Sequence, residues 1–156
     1  MAKDYSPAIK AAIEDFFAQD DWKYEPMDEN GIFRTGLSLK SKIKNIKIFI
    51  NVKDESFSIV SVLPFGADND TKAATAEFIT RANYGAMHGA FEMDYSDGEL
   101  RYRTSLFVGK GGVPTFEQVK FMMYVNVVTV EKYGDGLMKV LFNLATPEEA
   151  VKEIEG

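Results

Sequence analysis

The sequence predicts an α+β fold, with helices packed on an antiparallel sheet in the order α-ββββ-α-ββ-α-α. Three observations lead there. Apolar residues recur at helical spacing near the start of the chain and again in its second half. Between those stretches lie β-branched and aromatic runs, broken by turn signals at Asn30-Gly31, Asp54-Glu55 and Asp97-Gly98. Finally, 156 residues with 46% apolar content suffice for one core, so residues 1–156 are expected to form a single domain.

The first helix has Ser6 as its cap and Pro7 at its first position, where the missing N–H costs nothing. Ile9, Ile13, Phe16 and Phe17 form its apolar face, and it should fade near Asp20. Asn30-Gly31 is a type I′ signal. Pairing outward from it sets Trp22 opposite Leu39 and Tyr24 opposite Leu37. Pro26 lacks a ladder donor, which makes the first strand an edge strand. A two-residue loop at Asp54-Glu55 pairs Val52 with Phe57 and Ile50 with Ile59.

A helix of about 16 residues follows, capped by Asp70 or Thr71, with Phe78, Ile79 and Ala82 inward and an end near Gly85. The hairpin at Asp97-Gly98 then pairs Tyr95 with Leu100 and Met93 with Tyr102. On its other face Asp94 meets Arg101 and Glu92 meets Arg103, so opposite charges lie across from each other. Gly109-Lys110-Gly111-Gly112 is a loop, and Thr115 with Gln118 forms a capping box. The next stretch is rich in β-branched residues, but its length and the capping box favour a helix to about Tyr133, broken by Gly134 and Gly136. Thr146-Pro147-Glu148-Glu149 is a second capping box and opens a short last helix.

Composition removes much chemistry. With no cysteine and a single histidine, His88, the chain lacks thiol nucleophiles, disulfides, Cys-ligated zinc and any site needing two histidines. The net charge of −6 disfavours a generic polyanion binder. Seven acids crowd residues 14–30 and six bases residues 31–53, so neighbouring blocks should partly cancel. Met1-Ala2-Lys3-Asp4-Tyr5 has no signal-peptide core, and the longest apolar run, Phe121 to Val125, is far short of a membrane helix. A soluble, cytoplasmic protein is expected, so the Asn69-Asp70-Thr71 sequon carries no weight.

The motifs that resemble catalytic or ligand sites fail one by one. Glu92 and Asp94 are explained by cross-strand pairing with Arg101 and Arg103, and arginine lowers a carboxylate pKa, which is wrong for acid–base work near neutrality. His88 has no triad partners. Gly36-Leu37-Ser38-Leu39-Lys40 lacks the last glycine of a nucleophile elbow, and Ser41-x-x-Lys44 lacks its companion motifs. Gly109-x-Gly111 has a phosphate loop's context, but Gly111 follows Lys110 and Pro114 replaces the third glycine. Asp68-Asn69-Asp70 opens like a calcium loop, yet Lys72 takes a ligand position and Ile79 stands where the bidentate Glu belongs. Lys40, Lys42 and Lys44 would share one face of a strand, but with only Phe49 as an aromatic neighbour and an acidic chain they read as a solvated face rather than a nucleic-acid surface. No cofactor or metal is expected.

Two features differ from plain surface. Phe49, Val60 and Val62 point away from the face formed by Ile48, Ile50, Phe57 and Ile59. Residues 119–130, including Met122 and Met123, are apolar nearly all round. Such elements must be covered on both faces, by the terminal helices or by a second copy or partner segment. Phe49, Val60, Val62, Met122 and Met123 are therefore the candidate interface.

Phe78 to Gly89, Phe91-Glu92-Met93-Asp94-Tyr95 and Asp97-Gly98-Glu99-Leu100-Arg101-Tyr102-Arg103 resemble the YbjN-like family of bacterial sensory transduction regulators. The Thr115-Phe116-Glu117-Gln118 helix start, Tyr133 to Val140, and Pro147-Glu148-Glu149-Ala150 extend the resemblance. It implies the type III secretion chaperone-like fold, a superfamily whose members commonly dimerise and bind other proteins, and it carries over no catalytic residue. The expected function is a non-enzymatic cytoplasmic protein-binding module, a regulator or chaperone-like adaptor, acting as a homodimer. A small-molecule or nucleotide sensor with its cleft near Gly109–Gly112 is the alternative.

Overall fold

The computed structural model describes residues 4–156; Met1, Ala2 and Lys3, part of the N-terminal stretch read above, lie outside the described residues. Helix α1 (Pro7–Gln19) is followed by strands β1 (Tyr24–Glu25), β2 (Ile32–Ser38), β3 (Asn45–Val52) and β4 (Ser56–Val62). Helix α2 (Lys72–Asn83), strands β5 (Gly89–Met93) and β6 (Leu100–Phe107), and helices α3 (Phe116–Leu141) and α4 (Pro147–Glu155) complete the order. The strands form one antiparallel sheet in the order β1-β2-β3-β4-β6-β5, with β1 and β5 at its edges. This is the α+β order expected from the sequence.

The caps explain why several helices start where they do. Ser6 accepts the Ile9 N–H at 3.1 Å, and Ile9, Ile13, Phe16 and Phe17 are all fully buried. Both capping boxes form: Thr115 with Gln118 opens α3, and Thr146 with Glu149 opens α4. Helix α2 is shorter than expected at 12 residues. Its N-cap, Thr71, makes no side-chain capping bond, because its hydroxyl is turned back to Asp68, accepting that residue's N–H at 3.1 Å and donating to its carboxylate at 3.0 Å.

The hairpin at Asp54-Glu55 has the expected register, with Val52 opposite Phe57 and Ile50 opposite Ile59. The other two are each displaced by two residues. Tyr24 faces Thr35 rather than Leu37, because Asp28 accepts the N–H groups of Asn30 and Ile32 and widens the turn. Gly31 alone in this turn has positive φ, so the turn is not type I′. Trp22 stands beyond β1 and packs on Phe16 and Phe17. In the third hairpin Met93 faces Leu100 and Glu92 faces Arg101, with the turn closed by the Asp94 N–H on the Glu99 carbonyl at 2.9 Å. Two-residue shifts keep every side chain on its face, so the alternation survives both.

Lys40, Lys42 and Lys44 are not on a strand. They occupy the β2–β3 turn, where Lys44 has φ of 73°. Carboxylates of α3 hold this turn, Glu131 accepting the Lys40 N–H at 3.0 Å and Asp135 the Lys42 N–H at 2.7 Å. The acid-rich and base-rich blocks cancel at one ion pair, Asp28 with Arg34 at 2.6 Å.

Helix α3 does not stop at Tyr133 but runs through Gly134 and Gly136 to Leu141. Each glycine costs a helix about 1 kcal/mol relative to alanine. Tertiary contact overrides that preference here. A methyl group on Gly134 would stand 2.7 Å from Ser41 Oγ, and one on Gly136 would meet the end of the Ile154 side chain. The glycines let the β2–β3 turn and α4 close against α3.

The core lies on one side of the sheet. Phe33, Ile50, Ile59 and Thr104 are cross-strand neighbours on that side, and Ile48, Ser61 and Tyr102 form the next row. Phe17 of α1 packs edge-on to Phe33, and Asn126 of α3 bonds to Ser61 and to the Ile59 carbonyl. Phe78 of α2 meets Tyr133 of α3, and α4 packs on α2 and α3. All four helices therefore sit on this side. The terminal helices do not fold over the other one.

Candidate interaction surfaces

The register defines the uncovered face row by row. One row crosses the sheet as Arg34, Phe49, Val60, Arg103 and Ala90. The next reads Gly36, Lys47, Val62, Arg101 and Glu92. Phe49 and Val62 are half-buried, and Val60 is 8% exposed although no helix covers it. Their shielding comes from long neighbours, as the Arg34 guanidinium lies 5.8 Å from the centre of the Phe49 ring. Further out, Phe107 is 71% exposed. An open hollow of about 590 Å³ is lined by Lys23, Glu25, Arg34, Lys47 and Phe49. The expected residues Phe49, Val60 and Val62 are thus brought together as one apolar strip, framed by four cations.

Two acids share that face, Glu25 opposite Arg34 and Glu92 opposite Arg101, and Glu92 answers two of the cations. It bonds Arg101 Nε at 3.0 Å and Arg103 Nε at 2.6 Å. Burial pushes its carboxyl upward, but the hydrogen bonds and charges of the two guanidiniums outweigh burial and hold it below the usual range. Asp94 takes no part in this and instead accepts the Ser96 N–H at 2.9 Å within its turn, contrary to the pairing expected with Arg101. A carboxylate shared by two arginines is an ion-pair strut, not a proton-transfer group.

Met122 and Met123 fall elsewhere. They are 8% and 0% exposed, packed in the core beneath α3. The apolar surplus of the helix emerges on its opposite side, where Phe121, Tyr124 and Val128 are 47%, 38% and 61% exposed and Val125 is half-buried. These four positions follow i, i+3, i+4, i+7 and so form one stripe. That spacing is readable in the sequence. What is missing there is which of two apolar stripes turns inward. Tyr124 is anchored by its hydroxyl, which donates to Asp20 at 2.5 Å, and that bond holds the Asp20 carboxyl below its ordinary pKa.

Each sheet edge carries a feature that hinders strand addition. On β5, the Asn83 side chain donates to the Phe91 carbonyl at 3.0 Å and accepts the Phe91 N–H at 2.8 Å, as a further strand would. On the other side β1 is two residues long and is followed by Pro26.

The remaining candidates offer little to a ligand. In the Gly109–Gly112 loop, the Gly109 N–H goes to the Glu55 carbonyl and the Gly112 N–H to the Gly109 carbonyl, so two amides that a phosphate would need are taken. His88 is exposed just before β5 and packs on the edge of Phe121 at 4.8 Å. Among the described residues there is no cluster of three metal-binding side chains, and no helix is long and apolar enough to cross a membrane.

The architecture defines the class: an α+β protein with its helices on one face of an antiparallel sheet. Residues 10–138 match the family described as "Putative bacterial sensory transduction regulator", and the chain belongs to this YbjN family. Two solved structures share the fold. One is YbjN from E. coli, described as "a putative transcription regulator", at 10% identity and a TM-score of 0.57, covering 84% of this chain and 87% of that one. The other is a chain of the HopA1–SchA chaperone–effector complex, at 11% identity and a TM-score of 0.53, covering 79% of this chain and 89% of that one. No functionally curated protein matches.

Proposed function

We propose that this protein is a non-enzymatic, cytoplasmic protein-binding module, a regulator or chaperone-like adaptor that acts as a homodimer. The observation that carries this reading is the one-sided packing: every helix lies on one face, and the other carries Phe49, Val60 and Val62 between Arg34, Lys47, Arg101 and Arg103. Apolar groups ringed by charge are the usual make-up of a protein contact, with an apolar centre and a polar rim. The family description as a regulator and the fold shared with a chain of a chaperone–effector complex point the same way. A non-catalytic role is supported by the isolated His88 and by Glu92 held between two arginines.

A crosslinked pull-down from a bacterial lysate tests the reading, with wild-type protein beside a Phe49→Ser/Val62→Ser variant. Both positions are half-buried on the bare face, so the core is untouched. The expected result is a partner captured by wild type and lost from the variant. Capture of nothing beyond the chain itself overturns the reading.

A further inference from the structure

Resting on the homodimer reading above, we infer that the second copy docks on the outer stripe of α3, antiparallel across a twofold axis between Tyr124 and Val125. The stripe is Glu117, Phe121, Tyr124, Val125, Val128 and Lys132, all on one side of the helix and each exposed or half-buried. Its centre is apolar and its ends carry opposite charge. In an antiparallel pair about that axis, Phe121 meets the partner's Val128, and Glu117 meets the partner's Lys132. One register satisfies every position at once. Neither Glu117 nor Lys132 forms an ion pair among the described residues.

An isologous contact must be self-complementary, because each patch meets its own copy. The α3 stripe meets that condition in one register. The two rows of the sheet face carry four cations, Arg34, Lys47, Arg101 and Arg103, against two acids, Glu25 and Glu92, so a twofold contact there would set an excess of positive charge against itself. The relief also fits. The stripe is a ridge between a groove of about 330 Å³ lined by Leu37, Leu39 and Glu131 and one of about 230 Å³ lined by Met87, His88 and Thr129. Helices pack by seating the ridge of one in the groove of the other. At about 1.5 Å per residue the contact from Glu117 to Lys132 runs roughly 22 Å, and exposed Met87 and Tyr84 widen it.

The test is light scattering over a dilution series, with circular dichroism to confirm folding. Wild type is expected to dimerise. Val128→Asp, at a position 61% exposed, should weaken the dimer at least tenfold. Glu117→Lys alone should weaken it by roughly three- to thirtyfold, since the dimer contains two copies of the pair. The combined Glu117→Lys/Lys132→Glu exchange should restore it to within about twofold, because it only reverses the pair. A wild-type dimer indifferent to Val128→Asp and to the single charge change overturns this docking and leaves the homodimer reading standing. A wild type that stays monomeric at every concentration overturns both.

Discussion

Ser61 of β4 donates its hydroxyl proton to the side-chain carbonyl of Asn126 on α3 across 2.5 Å, and neither residue is exposed to solvent. The amide nitrogen of Asn126 donates to the carbonyl of Ile59 on β4 at 2.9 Å and reaches the Tyr102 carbonyl of β6 at 3.3 Å. Beside it, Thr104 donates to the Met122 carbonyl at 2.9 Å. Polar groups in a dry core fix one arrangement when all are satisfied. This cluster sets the position of α3 along the two central strands.

Replacing Asn126 with leucine strands the Ser61 hydroxyl without solvent or partner. The expected loss is about 2–3 kcal/mol, the cost of a buried unsatisfied group plus imperfect packing. Urea unfolding should show a lower midpoint at unchanged slope.

The two glycines within α3 should respond differently to alanine. At Gly134 the added methyl meets Ser41 Oγ at 2.7 Å and Ser41 Cβ at 3.1 Å, in a turn pinned by Glu131 and Asp135. Gly134→Ala should destabilise by about 1–3 kcal/mol. At Gly136 the obstruction is the tip of Ile154, a side chain that can turn aside. Gly136→Ala should be neutral, or up to about 1 kcal/mol more stable through helix propensity. Thermal melts of the two variants check the contrast.

Glu92 gives a pH signature. Its carboxyl lies below its ordinary value of about 4.5, so its contribution to stability is full above that pH and lost as the pH falls through the lowered value. Its side chain is 34% exposed, and solvent screening limits the contribution to about 0.5–1 kcal/mol. Unfolding of wild type and Glu92→Gln should differ by that amount near neutrality. The gap should close in acid and shrink in high salt.

Asn83→Ala removes the side chain that occupies the free edge of β5. The Phe91 amide should lose most of its protection from hydrogen exchange. The exposed edge should also make the variant more prone to associate at high concentration. Asn83→Asp still accepts the Phe91 N–H but cannot donate to its carbonyl, so it should fall between the two.

The sequence was most legible where structure is specified locally. Ser6, Thr115 and Thr146 mark helix starts by bonds within three residues, and all three were readable. The Asp54-Glu55 register followed from turn length and alternation. The other hairpins moved by two because Asp28 and Asp94 use their carboxylates inside the turn, an alternative that alternation cannot see. Gly134 and Gly136 read as breakers because the contacts that reward them come from Ser41 and Ile154, distant in sequence. The same limit governs the surfaces. Phe49, Val60 and Val62 follow from strand parity, whereas Met122 and Met123 turn inward because α3 has two apolar stripes and the sheet selects one.

A sheet covered on one side divides its strands into two populations of residue. Ile48, Ile50, Phe57 and Ile59 face a packed interior, where a change of even one methylene is felt. Lys47, Phe49, Ser58 and Val62 alternate with them and touch no helix. Alternate positions of β3, β4 and β6 can therefore vary over generations while the architecture stays the same. The chemistry of the outward face can thus be rewritten by a few substitutions that leave the packed face as it is.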